Sequence, residues 1–223
     1  MKTYRVLTIA LLTLGFVFIG SGQTGSKPVH YKKLKYPPLR QVQIPEPLRF
    51  QLSNGMIIYL LEDRTLPLIE GSVLVRTGSQ YEPADKIGLA SLTGQVMRTG
   101  GTTTKTGEEL DEMLEKAGAS VETYIGTTSG GARLSVLKED IDMGLSVLAD
   151  LLKNPAFRDD KIELSKITAR SAISRRNDQV ASIAGREFRR LIYGPNDPFA
   201  RMTEYATIEN IEKKDLVEFH KKY

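Results

Sequence analysis

The sequence has 223 residues, 40% of them hydrophobic and 26% charged, a balance typical of a globular domain. Its net charge is only +4, and its short basic pairs, such as Lys32 and Lys33, are not interleaved with aromatic residues, so we predict no nucleic-acid partner. The absence of cysteine excludes disulfides, thiolate nucleophiles and Cys-ligated zinc. The two histidines, His30 and His220, lie near opposite ends of the chain and cannot form a two-His metal motif at helical spacing.

The first residues have the pattern of a targeting segment. Lys2 and Arg5 precede a mostly apolar run over residues 6–20, and small and polar residues follow at 21–23. The run is short for a membrane-spanning helix, and small residues at its end suit signal peptidase. We predict a signal peptide over residues 1–22 and export to a periplasm, with membrane contact only through this segment. An uncleaved membrane anchor and a buried core helix are the alternative interpretations.

A proline-rich stretch follows the predicted signal. Residues 23–48 contain Pro28, Pro37, Pro38, Pro45 and Pro47. Because proline lacks the backbone N–H that helices and sheets use, we predict an extended lead-in here. We expect the folded domain to span residues 49–223, with His30 solvated in the lead-in.

Two β-prone runs, residues 50–52 and 56–61, open the domain. Asn54 and Gly55 stand between them, and this pair predicts a hairpin closed by a tight primed turn. A third strand is predicted over residues 68–77. Its alternation places one set of residues on a single face: Ile69, Gly71, Val73 and Val75.

In the rest of the chain, apolar residues recur mostly at helical spacing. One pair of strands is predicted between the helices. A helix over 87–98 is ended by Gly100 and Gly101, and a capping box at Thr106 and Glu109 starts the next helix. Strands are predicted over 119–125 and 132–137, and helices over 140–152, 159–176, 179–192 and from 213 to the end. The helix over 140–152 carries an apolar face of Ile141, Leu145, Leu148, Leu151 and Leu152.

The order of these elements indicates the fold class. Strands and helices do not alternate strictly along the chain. The sequence therefore predicts an α+β fold with an antiparallel sheet and helices packed on one face, rather than a doubly wound parallel sheet.

Taken in this order, these elements resemble the N-terminal domain of the M16 peptidases, the family of insulin-degrading enzymes and mitochondrial processing peptidase. The resemblance spans residues 49–223. The stretches that carry it are Leu52-Ser53-Asn54-Gly55-Met56, Val75 to Glu82, Gly88-Leu89-Ala90, Leu137 to Asp140 with Asn154-Pro155-Ala156-Phe157, and Asp197 to Tyr223.

The resemblance also shows what this sequence lacks. In active members the helix after Gly-Leu-Ala reads His-x-x-Glu-His, with both imidazoles binding zinc and the glutamate activating a zinc-bound water. Here Ser91 and Gln95 stand at the histidine positions, Gly94 at the base position, and Ser171 near the third ligand. The resemblance therefore implies no catalytic residue, no bound metal and no zinc cofactor in this domain, with His220 an ordinary helix residue.

A second family feature falls on the strand over residues 121–124. Family members lay an extended peptide along the corresponding edge strand, so the resemblance makes Glu122, Thr123 and Tyr124 candidate substrate-binding residues. Glu122 and Thr123 stand where active members commonly have Asn-Ala, and an ordinary strand without a binding role is the alternative.

Family members that lack the zinc motif act as partners of active ones. The resemblance thus implies an M16 partner subunit or C-terminal M16 domain, with which this chain completes a chamber for unfolded peptides. One alternative is a structural scaffold, as in the respiratory-complex core subunits that resemble this family. Another is a longer metallopeptidase whose zinc site lies in a different domain. Because family members normally continue beyond the segment that ends here, we expect the sequence to be a fragment, with a truncated gene product as the alternative.

Overall fold

The computed structural model describes residues 30–223, so the signal predicted for 1–22 and the first part of the lead-in lie outside the described residues. The chain divides into two compact units, one ending at Glu62 and the other spanning Asp63–Tyr223. The predicted domain start at residue 49 falls inside the first unit. None of the helices in residues 30–223 is long and apolar enough to cross a membrane.

The first unit contains the predicted hairpin. Strands β1 (Leu48–Gln51) and β2 (Ile57–Leu60) pair antiparallel, and residues 30–62 are all exposed. The turn differs from the prediction, because Gly55 alone has a positive φ, of 87°. The backbone N–H of Gly55 donates to the carbonyl of Leu52, and the N–H of Leu52 donates to the carbonyl of Met56. These bonds define a three-residue loop with a left-handed glycine, not a primed two-residue turn.

The second unit is built on a three-stranded antiparallel sheet in the order β3-β5-β4, formed by β3 (Leu68–Val75), β4 (Ser120–Ile125) and β5 (Gly130–Leu137). Burial alternates along the strands, as the pleat requires. Val121, Ala132 and Val136 are fully buried on one face, whereas Leu74 is exposed on the other. The α+β fold with an antiparallel sheet is thus confirmed, and its helices cover one face.

The second unit also contains seven α-helices and two short 3₁₀ turns, Ser79–Tyr81 and Lys138–Asp140. Helix α6 has five residues, too few for a periodic pattern to reveal, and it was not predicted. The other helices agree with the prediction to within a few residues at their ends. The helices are α1 (Leu89–Thr99), α2 (Gly107–Lys116), α3 (Ile141–Lys153), α4 (Asp159–Arg175), α5 (Val180–Tyr193), α6 (Tyr205–Glu209) and α7 (Lys213–Lys222).

Two hydrophobic clusters hold the second unit together. One lies between the sheet and helices α2 and α3, and the other joins α1 to α4, α6 and α7. Helix α3 packs differently from the prediction, since Leu145 is 49% exposed and Gly144 is buried. A Cβ on Gly144 would lie 2.9 Å from the side chain of Leu134. The burial of Gly144 could not be predicted from the spacing of apolar residues, because glycine has no apolar side chain.

Candidate functional site

Helix α1 carries the degenerate motif, and a buried carboxylate fixes where it begins. Gly88 is left-handed, with φ 109°, and has no capping side chain. Instead, Glu82 is 5% exposed and accepts hydrogen bonds from the backbone N–H groups of Gly88 (3.2 Å) and Ala90 (2.6 Å). Burial raises the pKa of Glu82, and these two bonds and the charge of Arg201 only partly oppose that rise. Glu82 therefore takes the place of a helix N-cap.

The middle of α1 touches the backbone of β4. The hydroxyl of Thr123 donates a 2.6 Å hydrogen bond to the carbonyl oxygen of Gly94. A Cβ on Gly94 would lie 2.6 Å from the backbone nitrogen of Ile125 and 2.9 Å from the carbonyl carbon of Tyr124. These neighbours are backbone atoms and cannot rotate away. Glycine at this position is therefore what allows the helix to approach the strand so closely.

The end of α1 is tied to the same strand by Arg98. Its Nε donates to the carbonyl oxygen of Val121 at 2.7 Å, and its Nη2 lies 2.6 Å from a carboxylate oxygen of Asp111 on α2. Glu122 lies 3.7 Å from Nε. The Arg98 side chain is only 11% exposed. Sequence reasoning missed this residue, because a basic residue in the last turn of a helix is common and reveals no distant partner.

The four motif positions do not face the same surroundings. Gly94 is buried against β4, whereas Ser91 and Gln95 are exposed on α1 and Ser171 is exposed on α4. Position 94, which the resemblance aligns with the general base of the family, thus lies inside a helix–strand contact, and the three positions aligned with the family's zinc ligands are open to solvent.

The predicted substrate-binding residues lie on β4, at one edge of the three-stranded sheet. Thr123 is 9% exposed and bonded to α1 through its hydroxyl. Glu122 and Tyr124 lie on the opposite face of the strand, where the guanidinium of Arg133 is 5.4 Å from the centre of the Tyr124 ring. Thr123 is thus engaged internally, and peptide binding by this strand stays a prediction.

The two histidines agree with their predicted surroundings. His30 is exposed. His220 lies in α7, where its Nε2 is 2.8 Å from the carbonyl oxygen of Leu152 and its ring meets that of Phe157 edge-on at 5.8 Å. Its surroundings are those of a packed helix residue.

Comparison with known proteins identifies the family. Residues 60–189, more than half of the chain, match the sequence profile of Insulinase (peptidase family M16). The chain belongs to peptidase family M16. An uncharacterized zinc protease of Rickettsia felis is 26% identical over 112 residues, which are 50% of this chain and 27% of that protein. Cytochrome b-c1 complex subunit 1 of Bos taurus is 27% identical over 120 residues, 54% of this chain and 25% of that protein.

A solved M16 structure shares the fold. The peptidase M16 inactive domain from Pseudomonas fluorescens superimposes with a TM-score of 0.73 at 20% identity, covering 79% of this chain and 43% of that one. The chain thus spans about a quarter of the length of these curated relatives and less than half of the solved chain.

The residues of this M16 chain do not fit the zinc ion of the family. Zinc in proteins is bound by imidazole, thiolate or carboxylate groups, and Ser91, Gln95 and Ser171 offer hydroxyls and an amide. The base position is a glycine whose surroundings leave no room even for a methyl group unless helix and strand separate. Within residues 30–223, no cluster of three or more His, Asp or Glu side chains has a metal-binding arrangement.

Proposed function

We propose that this chain is a non-catalytic, zinc-free M16 domain that completes the substrate chamber of a zinc-bearing M16 partner, or of a further M16 domain of the same protein, in peptide degradation or processing. The observation that carries this proposal is Gly94, which stands where the resemblance puts the general base: it has no side chain to accept a proton, and it lies against the backbone of β4. A domain that keeps the fold and lacks the metal ligands can still supply walls and peptide contacts. The similarity to an M16 domain named inactive supports the non-catalytic part of this proposal.

The partnership can be tested by reconstitution. We would combine the purified chain with an M16 protein that carries the complete His-x-x-Glu-His motif and follow cleavage of an unstructured peptide. The chain alone should cleave nothing, and the pair should cleave faster than the partner alone. Replacing the partner's glutamate base by glutamine should abolish the signal, whereas Gln95→Ala in this chain should leave it unchanged. Loss of cleavage with Gln95→Ala would show that α1 takes part in the chemistry.

We further propose that the chain is exported to a periplasm, on the basis of the basic and apolar pattern in residues 1–22. N-terminal sequencing of the mature protein should find a start between residues 21 and 27, in the periplasmic fraction. An intact Met1 on cytoplasmic protein would contradict export, and an intact Met1 in the membrane fraction would favour an anchor.

A structural role without proteolysis is the second candidate, favoured by the similarity to subunit 1 of the bovine cytochrome b-c1 complex. The same reconstitution separates the two roles. A scaffold would co-purify with its partner proteins and leave the rate of peptide cleavage unchanged, whereas a chamber-forming subunit would raise it.

A further inference from the structure

Helix α5 is open to solvent along its whole length, and its apolar side chains lie on the solvent side. None of its residues is buried. Val180 is 82% exposed, Phe188 63% and Leu191 84%. With about 3.6 residues per turn, the exposed apolar positions of the helix fall on one side of it. The members of this α5 stripe are Val180, Ala181, Ala184, Phe188, Leu191 and Ile192.

The polar side of α5 holds the helix to the rest of the second unit. Arg186 lies opposite the middle of the α5 stripe, and its side chain is only 14% exposed. Its guanidinium donates to the carbonyl oxygen of Arg176 at 3.4 Å and to Oδ1 of Asn177 at 2.9 Å. A surface helix ordinarily has the reverse arrangement, with its apolar side inward. An outward apolar face marks a surface for association.

The α5 stripe is symmetric in position about residue 186 and unequal in size. Positions 180, 181 and 184 lie as far before residue 186 as positions 192, 191 and 188 lie after it. The first half carries a valine and two alanines, and the second half carries phenylalanine, leucine and isoleucine. When two α5 helices lie antiparallel about a two-fold axis at residue 186, small side chains of each copy therefore meet large side chains of the other.

We propose that two copies of this chain associate through an antiparallel pair of α5 helices. At the centre, Ala184 packs against Phe188 of the second copy, and at each end Ala181 packs against Ile192 of the second copy. Such a contact uses the same surface on both copies, so association stops at the dimer. The proposed dimer does not depend on the proposed function.

The charges beside the α5 stripe are compatible with this pairing. Glu187 and Arg190 lie on the same edge of the stripe, with 3.5 Å between Oε2 and Nη1. A two-fold axis brings this edge of one copy beside the same edge of the other. Each Glu187 carboxylate thus has an arginine of the second copy nearby as well as its own, and the four charges sum to zero.

An anionic membrane is the other surface that suits an exposed amphipathic helix. Two features of α5 favour a second copy instead. The carboxylate of Glu187 lies at the edge of the α5 stripe, where anionic lipid would repel it. Lipid chains also require no small residues at the positions that face Phe188, Leu191 and Ile192 in the pair.

The size of the contact sets the strength of the dimer. A helix of 14 residues is about 21 Å long. Two such helices bury less than the roughly 1,200–2,000 Å² of a stable protein–protein interface. We therefore expect a weak, reversible dimer that forms between roughly 10 µM and 1 mM chain.

Sedimentation equilibrium of the 223-residue chain over this range measures the association. Phe188→Ala keeps the helix propensity, removes the large member of the central contact and should weaken the dimer about tenfold. Leu74→Ala is the matched control, because Leu74 is 75% exposed on the sheet and lies outside the α5 stripe; it should leave association unchanged. A chain that stays monomeric throughout, or equal weakening by the two substitutions, would overturn the proposal.

Disulfide cross-linking tests the antiparallel arrangement, because the natural chain has no cysteine. Ala181→Cys and Ile192→Cys are made as separate variants. Their cysteines meet across the antiparallel pair, whereas two copies of either position lie about 15 Å or more apart, too far for a disulfide. Oxidation of the mixture should cross-link about tenfold faster than oxidation of either variant alone. Equal rates would contradict the antiparallel pair.

Lipid vesicles separate the dimer from membrane binding. The chain and Phe188→Ala are floated with vesicles of phosphatidylglycerol and, as the uncharged control, of phosphatidylcholine. The proposal predicts that Phe188→Ala changes self-association without changing vesicle binding. Loss of phosphatidylglycerol binding in Phe188→Ala, in a chain that is monomeric without lipid, would assign the α5 stripe to a membrane and overturn the proposal.

Discussion

The hydroxyl of Thr123 donates a 2.6 Å hydrogen bond to the carbonyl oxygen of Gly94, joining the middle of α1 to β4. A helix carbonyl in this position would ordinarily bond only within the helix, so the added bond marks a close approach of the two backbones. It occurs at the residue that stands at the base position of the family motif. A residue without a side chain at this position lets the helix pack closely on the strand.

Gly94→Ala should destabilise the second unit, although alanine is the better helix former. A Cβ at this position meets backbone atoms at 2.6 Å, so helix and strand must separate. Overpacking costs about 1–3 kcal/mol, and a clash with rigid backbone atoms belongs to the upper part of that range, which exceeds the gain of about 1 kcal/mol from helix propensity. Urea unfolding followed by circular dichroism measures the change.

Gly185→Ala is the matched control for Gly94→Ala. Gly185 lies inside helix α5, and the nearest atom to a Cβ there is the Nη1 of Arg189 at 3.9 Å. This substitution should stabilise the chain by about 0.5–1 kcal/mol. A stabilisation of similar size at position 94 would show that α1 does not press on β4.

Arg98→Met should cost about 1–3 kcal/mol, because it leaves the buried carbonyl of Val121 without its donor and removes the link to Asp111. Lys116→Met provides the comparison, since Lys116 and its partner Glu112 are 74% and 69% exposed. An exposed pair contributes about 0–1 kcal/mol. Equal unfolding midpoints for the two variants would contradict a structural role for Arg98.

Glu82 should make stability depend on pH between its ordinary pKa of 4.5 and its raised pKa in the fold. The folded state binds the proton more tightly than the unfolded state, so the contribution of Glu82 is full below 4.5 and is lost as the pH rises through the raised pKa. The free energy of unfolding should therefore fall more steeply with rising pH in the unsubstituted chain than in Glu82→Gln. Urea unfolding from pH 4 to pH 7 measures both slopes, and parallel curves would contradict the raised pKa.

Glu82→Ala tests the capping role separately from the titration. It removes both acceptors from the start of α1 and should cost about 0.5–2 kcal/mol, the range measured for lost helix N-caps. A change near zero would mean that solvent replaces Glu82 at this helix end.

Local signals explain why most elements could be predicted from the sequence. The capping box at Thr106 and Glu109 involves residues three apart, and both of its hydrogen bonds are present. Gly55 is a second local signal, because it marks the hairpin turn in the sequence. The hairpin was predicted, and only its type of turn was wrong. Alternation along β3 predicted its half-buried face because the pleat alone sets that pattern.

The contacts that shape the site were not predictable in this way. In the sequence, Gly94 is only a glycine that lowers the stability of a helix. The structure shows that the backbone of Tyr124, thirty residues later, lies against it. The structural role of Arg98 depends in the same way on its hydrogen bonds with Val121 and Asp111. No spacing in the sequence identifies either residue as its partner. The family resemblance drew attention to position 94, and only the structure shows that this glycine packs against the backbone of β4.

Restoring the family motif should not restore a metal site. The triple variant Ser91→His, Gly94→Glu and Gln95→His supplies two ligands and a base, but Ser171 still offers no third ligand, and a side chain at 94 meets the backbone of β4. The variant should unfold at lower urea concentration and take up zinc only weakly. Tight stoichiometric binding by this variant would show that α1 and β4 separate easily.

The zinc content of the unsubstituted chain tests the central proposal most directly. The purified protein is equilibrated with excess zinc at neutral pH and dialysed, and the metal is measured by elemental analysis together with protein concentration. The proposed zinc-free domain should retain far less than one zinc per chain. Retention of about one zinc ion per chain, as in a structural or catalytic zinc site, would contradict it.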